Sequence, residues 1–437
     1  MELIASLTSD YAELFRELGI YFLFAATWFP YWGPVLFAVI FWKAWMSYVQ
    51  AHWRANLKWV MLEIKIPKEV NKSPVAMEIM LNSLYQTSRG AWWDWYWKGR
   101  VRDWFSLELV SIEGHVKFFI RTLPGYKNLI ESQIYAQYPD VEIYEVPDYT
   151  RYADYHGLGS EWEMFSAEYQ LTKADPYPIK TYVDYGLDKE GIKEEFKIDP
   201  MTSIIEHLGS IGKGEQFWIQ IIVQAADNRY RLKEASGKKK VGDMGDWKDE
   251  AKEVIKGLTT EKEKKDDKTM VVSKVLKMTK GDQELVAAIE RSVAKFGFDC
   301  GIRAIYIAKK ENFDGRQAKA LGGLFRPFSS STLNGFKYLN QSIGPDFPWQ
   351  HHITFEDYIL LPRIFLKKGA RFAEIRKEMF DAYKHRSWFY LPRKLKPFIL
   401  TTEEIATIYH FPGGVAQTPT FGRIPSRKSE APVNLPI

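Results

Sequence analysis

Few residues of this chain have the types and spacing that catalysis or ligand binding requires, and the nearest case is a glycine-rich string. GSIGKGEQ, at residues 209–216, resembles a phosphate-binding loop, in which backbone amides cradle phosphate and a lysine reaches it. Its spacing departs from the GxxxxGK-S/T pattern, and it precedes a strand pattern instead of a helix pattern. We therefore predict that it binds no nucleotide.

The histidines do not form a recognisable metal site. His351 and His352 lie near Glu356 and Asp357, but adjacent side chains diverge and no HExxH or Cys/His spacing accompanies them. His115 at a predicted hairpin and His207 in a predicted short helix have no partner that the pattern identifies. We predict that the chain holds no metal ion.

The only cysteine also lacks the context of a nucleophile. Cys300 lies in the middle of a predicted strand, where a cysteine is typically a small buried hydrophobe. One cysteine excludes an internal disulfide and a thiolate metal cluster. The chain contains no GxSxG elbow either. We therefore predict no catalytic residue and no cofactor, and we interpret the chain as a protein that is not an enzyme.

Composition is that of folded domains. The chain has 437 residues, of which 46% are hydrophobic and 26% charged, so it can form two or three compact units. Its net charge of +5 is small for this length and does not by itself indicate a nucleic-acid partner.

A long uncharged run lies near the N-terminus. LGIYFLFAATWFPYWGPVLFAVIFW lies between Glu17 and Lys43, which is long enough to predict a transmembrane helix at about residues 18–42 within an anchor of residues 1–55. A buried core helix is the alternative. The indoles that we expect at the membrane interface, or in packing, are Trp28, Trp32, Trp42 and Trp45.

Charges around this run predict its orientation. Lys43, Arg54 and Lys58 follow it, whereas acidic residues dominate before it. Since positive residues favour the cytoplasmic side, we expect a single-pass protein of the bacterial cytoplasmic membrane, with most of the chain in the cytoplasm.

The next segment, residues 56–150, has the pattern of a ferredoxin-like unit. LKWVMLEIKIP alternates as a half-buried strand, and SPVAMEIMLNSLYQ follows as an amphipathic helix. FSLELVSIEGHVKFFIRTL predicts a hairpin, YKNLIESQIYAQYP a second helix and VEIYEV a closing strand. The order β-α-β-β-α-β is the split βαβ arrangement.

Residues 151–345 repeat part of this order and predict a second ferredoxin-like unit. EMFSAEYQLTK, EQFWIQIIVQAA and CGIRAIYIA are strand patterns, and DPMTSIIEHLG and QELVAAIERSVAKFGF are helix patterns. A highly charged insertion at residues 231–280 interrupts the unit and is predicted to be mobile. The predicted fold class is thus α+β, with a transmembrane helix followed by two ferredoxin-like units.

The C-terminal part divides into a helical region, residues 346–414, and a proline-rich linker or arm, residues 415–437. ILTTEEIATIYHFPGG has the capping-box spacing at Thr401 and Glu404. The arm has neither helical nor strand periodicity, so we expect it to be extended.

The segment AWWDWYWKGRVRDWF, residues 91–105, is unusually aromatic and permits three interpretations. Its indoles can pack within the protein or a neighbouring subunit, contact a bilayer surface, or stack with nucleic-acid bases beside basic residues. The residues concerned are Trp92, Trp93, Trp95 and Trp97.

Several long strings resemble one known family. WFSLELVSIEGHVKFFIRT, LIESQIYAQYPDVEIYEVPDYT, VAKFGFDCGIRAIYIAKKENF and FILTTEEIATIYHFPG resemble the N-terminal, pre-motor region of membrane-anchored type IV secretion-like, conjugative coupling ATPases of candidate phyla radiation bacteria. In members that continue, a proline-rich linker leads into a RecA-like motor. This sequence shows no Walker motif, so the resemblance implies an anchor half whose motor is another chain or is missing.

Our leading hypothesis is therefore a non-enzymatic, membrane-anchored docking component of a translocation machine for DNA or protein. It would recruit a RecA-like hexameric ATPase at a lipid bilayer, with homo-oligomerisation and DNA contact both possible. The alternative is a membrane-associated module that binds single-stranded nucleic acid through the tryptophan-rich segment, and an unrecognised enzyme is a third hypothesis. The residues that we expect to dock the partner are Phe411, Pro412, Asn434, Leu435 and Pro436.

Overall fold

The chain divides into two compact units. Unit 1 comprises Met1–Leu57 and Arg89–Val101, and unit 2 comprises Lys58–Ser88 and Arg102–Ile437. The computed structural model describes residues 27–67, 72–88, 90–189, 198–226, 230–233, 239–259, 279–342 and 368–413.

Helices and strands both contribute to the described chain. The helices are α1 Phe29–Ala55, α2 Val75–Ser83, α3 Trp92–Tyr96, α4 Lys127–Gln137, α5 Pro200–Gly209, α6 Trp247–Thr259, α7 Lys280–Val293, α8 Gly315–Ala320, α9 Lys368–Lys384 and α10 Thr402–Ile408. The strands are β1 Val60–Lys65, β2 Trp104–Ile112, β3 His115–Thr122, β4 Glu142–Val146, β5 Trp162–Leu171, β6 Glu215–Ala225, β7 Tyr230–Lys233, β8 Lys239–Gly245, β9 Gly297–Lys309, β10 Phe336–Gln341 and β11 Phe398–Thr401.

Unit 1 is built on the 27-residue helix α1. Pro30 lies in its first turn, where a missing backbone N–H costs nothing, and Pro34 lies inside it without ending it. His52 and Arg54 lie in the last turn, where positive charge complements the helix dipole.

The predicted transmembrane helix is wrong. Among the described residues, no helix is long and apolar enough to cross a membrane. Helix α1 begins only at Phe29, and its uncharged part ends after 14 residues because Lys43 follows Trp42, whereas a span needs about 20 apolar residues. The predicted single-pass location in a bacterial cytoplasmic membrane is corrected for the same reason.

Unit 2 contains one nine-stranded antiparallel sheet, which joins the strands of both predicted ferredoxin-like units. Its strand order is β10-β5-β9-β6-β2-β3-β1-β4, and β11 pairs with β9. One half contains β1 to β4 and the other contains β5, β6, β9 and β10. From the outer edge inward, each half has its fourth, first, third and second strand in chain order, which is the order of a split βαβ unit. The halves share one sheet because β2 and β6 pair along their whole length, from Trp104 with Gln224 to Ile112 with Gln216.

Both faces of the sheet are covered, so the central strands are buried on both sides. The first face carries the larger core and is covered by α2, α4, α5 and α10. The second face packs against α9 and against the turn around Tyr149. Strands β6 and β9 are buried along nearly their whole length, as expected for strands with no solvent-facing side.

The charged insertion contains regular structure where it is described. Strands β7 and β8 form a separate antiparallel pair, and α6 follows directly. The indole of Trp247 in α6 lies so close to Gly297 that a β-carbon there would come within 2.6 Å of its nitrogen. Residues 260–278 lie outside the described residues.

The chain from Arg386 to Phe411, which we call the C-terminal clamp, joins the two faces of the sheet. Trp388 lies against Gly301 of β9, where a β-carbon would come within 2.1 Å of the indole. Strand β11 then pairs with the first residues of β9, from Gly297 to Cys300. After it, α10 is buried in the core of the first face.

Candidate docking surface

The most unusual surface of the molecule is the apolar side-chain cover of α1 in unit 1. Monomeric proteins rarely expose apolar patches of more than a few hundred Å². On and beside this helix, twelve large apolar side chains are exposed, and we call them the α1 apolar surface: Trp28, Phe29, Tyr31, Trp32, Val35, Leu36, Phe37, Val39, Ile40, Phe41, Trp42 and Tyr48.

These side chains surround the helix instead of forming one stripe. Each residue turns the helix by about 100°, so Phe37 and Val39 point in nearly opposite directions. Both are exposed, as are Ile40 and Phe41 beside them. A helix that is apolar all round is typical of one that other protein or lipid encloses, because a one-sided contact leaves half of it in water.

The tryptophan-rich segment packs on the C-terminal half of α1, around Trp42, Trp45 and Val49. The indole N–H of Trp45 donates to the carbonyl of Tyr96 at 3.1 Å, and the rings of Trp42 and Tyr96 lie 5.5 Å apart. The Trp45 and Trp97 rings meet edge to face at 5.8 Å. Among the three interpretations of this segment, packing within the protein is thus observed for its inner side chains, including Tyr96.

One glycine permits the close approach of this segment to α1. Gly99 has φ +69°, which disfavours other residues, and a β-carbon there would lie 2.3 Å from the backbone of Val49. The two backbones are therefore in direct contact. The α3 segment is held on α1 by this contact and by the ring contacts of Trp42 and Trp45.

Three indoles of the segment face outward, and we call them the outer indoles. Trp92, Trp93 and Trp97 are 65%, 51% and 48% exposed. Trp93 lies against Trp92 and Trp97, with ring centroids 5.6 and 5.1 Å apart. The fourth predicted interface residue of this segment, Trp95, is half-buried.

The charges near the outer indoles partly cancel. Lys98 donates to Asp94 at 2.7 Å, and this hydrogen bond lowers the pKa of the Asp94 carboxyl. Asp94 also accepts the backbone N–H of Ala91 at the start of α3, which fixes the turn. The outer indoles therefore lie on and beside a short helix whose start is capped, next to the ion pair of Lys98 and Asp94, which has no net charge.

A second feature of interest is a row of polar side chains buried across the second face of unit 2. Five residues on five neighbouring strands are directly opposite one another in the sheet register. Four are fully buried and the fifth nearly so. In order across the sheet, this polar row is Asn340, Glu168, Arg303, Gln220 and Glu108.

Hydrogen bonds connect each residue of the polar row to the next one. Asn340 donates to Glu168 at 2.9 Å, and Arg303 donates to the same carboxylate at 2.8 and 3.0 Å. Gln220 links the two ends, since its amide donates to Glu108 at 3.3 Å and its oxygen accepts from Arg303 at 3.5 Å. Buried polar groups are tolerated when they are paired in this way.

The C-terminal clamp supplies one arginine to each buried glutamate. Arg386 donates to both oxygens of Glu108 at 2.9 and 3.0 Å, and Arg393 donates to both oxygens of Glu168 at 3.0 and 2.9 Å. Asp148 also accepts from Arg386. Such two-point pairs orient both groups and are stronger than single hydrogen bonds.

These arginines determine the protonation of the glutamates. Burial alone would raise the pKa of Glu168, but Arg393 and Arg303 outweigh burial and lower it to about 2. The pKa of Glu108 is lowered as well, because Arg386 outweighs its burial. Both carboxylates are charged at neutral pH and act as acceptors that bind the C-terminal clamp to the sheet.

The other residues singled out from sequence are dispersed. Cys300 is buried in the core of the first face. His207 lies on α5, where burial lowers its pKa, and the string at residues 209–216 joins α5 to β6. Within the described ranges, no three His, Cys, Asp or Glu side chains are placed to hold a metal ion. His351 and His352 lie outside those ranges.

Of the predicted partner-docking residues, the described ones are interior. Phe411 is fully buried and packs edge to face against Phe118 and Tyr138, at 5.4 and 4.8 Å. Pro412 is buried beside it. The remaining three, Asn434, Leu435 and Pro436, lie outside the described residues.

Comparison with protein-family models shows which family the chain belongs to. A family model described as a domain of unknown function, DUF8128, matches residues 50–348, which is more than half of the chain. No curated protein matches. The matched range ends before α9, so α9 and the C-terminal clamp, which contains β11, lie beyond it.

Proposed function

We propose that this chain, which belongs to the DUF8128 family of domains of unknown function, is a non-enzymatic docking component. It would bind a RecA-like ATPase of a type IV secretion-like translocation machine. The observation that carries the docking role is the group of outer indoles on α3 and directly after it. The class of partner comes from the resemblance of the long sequence strings to the pre-motor region of coupling ATPases.

The outer indoles have the properties of a binding hot spot. Tryptophan is enriched among the few residues that supply most of the binding free energy at protein interfaces. Trp92, Trp93 and Trp97 are exposed together, and α1 holds their segment through the ring contacts of Trp45 with Trp97 and of Trp42 with Tyr96. Because they are held before binding, little side-chain entropy is lost when a partner covers them.

The test is the affinity of the full chain for a purified RecA-like ATPase encoded in the same genome. Replacing Trp92, Trp93 and Trp97 by alanine should raise the dissociation constant by at least about 30-fold, which corresponds to one hot-spot side chain. Binding would be measured by biolayer interferometry.

A matched control is available in unit 2. Tyr152 is an aromatic side chain that is 67% exposed, so Tyr152→Ala removes a comparable surface elsewhere. We expect this variant to bind as the unaltered chain does. The docking role would be refuted by an unaltered chain that fails to bind the ATPase, or by a triple variant that binds it equally well.

A second candidate function uses the same indoles. Exposed tryptophans with Lys98 and Arg100 nearby also suit base stacking, at about 1–3 kcal/mol per base. The pairing of Lys98 with Asp94 at 2.7 Å weakens this candidate, since it cancels one of the positive charges. Binding of a labelled single-stranded oligonucleotide that weakens steeply with salt, and disappears in the triple variant, would favour it over the first.

A further inference from the structure

We propose that further copies of this chain cover the α1 apolar surface, so that α1 lies inside a homo-oligomeric helical bundle. This inference extends the proposed docking role by assigning a separate partner to each part of unit 1. The outer indoles remain free for the ATPase, and α1 is the element through which copies assemble.

The area of the α1 apolar surface matches a stable subunit interface. Twelve large side chains, each about half exposed, present roughly 100 Å² apiece, or about 1,200 Å² in total. A standard protein interface buries about 800 Å² on each partner, and permanent subunit interfaces begin at about 1,000 Å² on each partner. A surface of this size is therefore sufficient for a permanent assembly.

The absence of charge makes this surface compatible with itself. Between Phe29 and Trp42 the sequence contains no Asp, Glu, Lys or Arg. Identical copies can therefore place this stretch side by side without bringing like charges together, as the symmetric interface of a homo-oligomer requires. Ring contacts of the kind already present within α1, such as Phe29 with Trp32 at 5.0 Å, can form equally between copies.

The distribution of side chains around α1 favours a bundle over a simple pair of flat faces. Phe37 and Val39 point in nearly opposite directions and are both exposed. One neighbouring helix covers only one side of α1, whereas two or more neighbours in a bundle cover both. The α3 segment already occupies the part of α1 around Trp45 and Val49.

Cysteine cross-linking on the full chain tests this directly, because the only native cysteine, Cys300, is fully buried. Ile40→Cys introduces a single accessible thiol on α1, and Leu158→Cys introduces one at an exposed apolar position of unit 2. Mild oxidation should link most of the Ile40→Cys chain into disulfide dimers at micromolar concentration. The Leu158→Cys chain should stay largely unlinked.

Sedimentation velocity provides the second measurement. The unaltered 51.0 kDa chain should form a discrete species of several copies, and Phe37→Glu with Ile40→Glu should reduce it to the monomer. Leu158→Glu with Ile198→Glu, at two exposed apolar positions of unit 2, should leave the assembly intact. A monomeric unaltered chain, a broad aggregate without a discrete species, or equal cross-linking at positions 40 and 158 would overturn the inference.

The two proposals fail separately. If the chain is monomeric but binds the ATPase through the outer indoles, self-assembly through α1 is refuted and the docking role stands. If discrete oligomers form but no ATPase binds, the docking role is refuted and the assembly stands.

Discussion

Arg393 and Glu168 form a two-point ion pair between residues 225 positions apart in the chain, with N–O distances of 3.0 and 2.9 Å. Arg386 and Glu108 repeat this geometry on a neighbouring part of the sheet. The C-terminal clamp is thus bound to the buried polar row at two points. The folding unit therefore continues beyond residue 348, where the match to the family ends.

Arg393→Met should destabilise unit 2 strongly. The substitution keeps most of the side-chain volume but leaves Glu168 with fewer donors in a fully buried site. Breaking a buried pair in this way typically costs about 3–5 kcal/mol. The free energy of unfolding, from urea titration followed by circular dichroism, measures it. Arg316→Met removes an exposed pair with Asp314 and should change nothing measurable, so equal effects of the two variants would contradict the account.

Acid should weaken the same interaction in a defined pH window. The Glu168 carboxyl titrates near its ordinary pKa of 4.5 in the unfolded chain and at about 2 in the folded chain. The folded state therefore gains about 3 kcal/mol above pH 4.5, and this gain is lost as the pH falls through 2. Unfolding free energies measured across this window should fall less steeply for Glu168→Gln than for the unaltered chain. Parallel curves would show that the carboxylate does not contribute.

Truncation should show where the folding unit ends. A chain that stops at residue 413 keeps the C-terminal clamp, whereas one that stops at residue 348 loses β11, α10 and both arginines of the clamp. The shorter chain also loses α9, which packs on the second face, and it leaves Glu108 and Glu168 as buried charges with fewer partners. We expect cooperative thermal unfolding only from the longer chain. Cooperative unfolding of both would show that the clamp is dispensable.

Gly99→Ala should release the α3 segment from α1. The new β-carbon would meet the Val49 backbone, and alanine at φ +69° is strained. Amide hydrogen exchange in residues 91–99 should accelerate, because the backbone hydrogen bonds from Trp95 to Ala91 and from Trp97 to Trp93 open more often in a segment that α1 no longer holds. At Gly125 a β-carbon meets nothing within 4 Å, so Gly125→Ala should leave this exchange unchanged. Unaltered exchange in Gly99→Ala would contradict the described contact.

Local patterns predicted many of the strands correctly. The strand predicted from CGIRAIYIA is confirmed as part of β9, and its alternate residues Cys300, Ile302, Ala304 and Tyr306 all lie in the core of the first face. Alternation with period two is a local property, so one strand reveals it without knowledge of its neighbours.

The joined sheet and the polar row could not be predicted in this way. Nothing in β2 or β6 alone indicates that the two strands pair, because that pairing connects residues more than 100 positions apart. Glu168 and Arg303 were visible as charges within apolar strands, which is a signal of a buried partner. The register that places them side by side depends on the whole sheet, and strand β10, with its half-buried pattern, was missed.

The length of α1 explains the largest error. The uncharged run was measured from residue 18, whereas the described helix begins at Phe29 and continues through Lys43 to Ala55. Counting uncharged residues gives the length of a run but not where the helix begins and ends. The aromatic residues were the better signal, since Trp42 at the end of this run and Trp45 just after it hold the α3 segment.

The central claim is that unit 1 docks other proteins through its aromatic side chains, and site-specific photo-cross-linking tests it most directly. A benzoylphenylalanine at position 97, among the outer indoles, would be compared with one at position 152, an exposed aromatic position of unit 2. In producing cells, position 97 should give a discrete product in which mass spectrometry identifies a RecA-like ATPase, and position 152 should give none. The absence of that ATPase from the position 97 product, or its equal capture at both positions, would contradict the account.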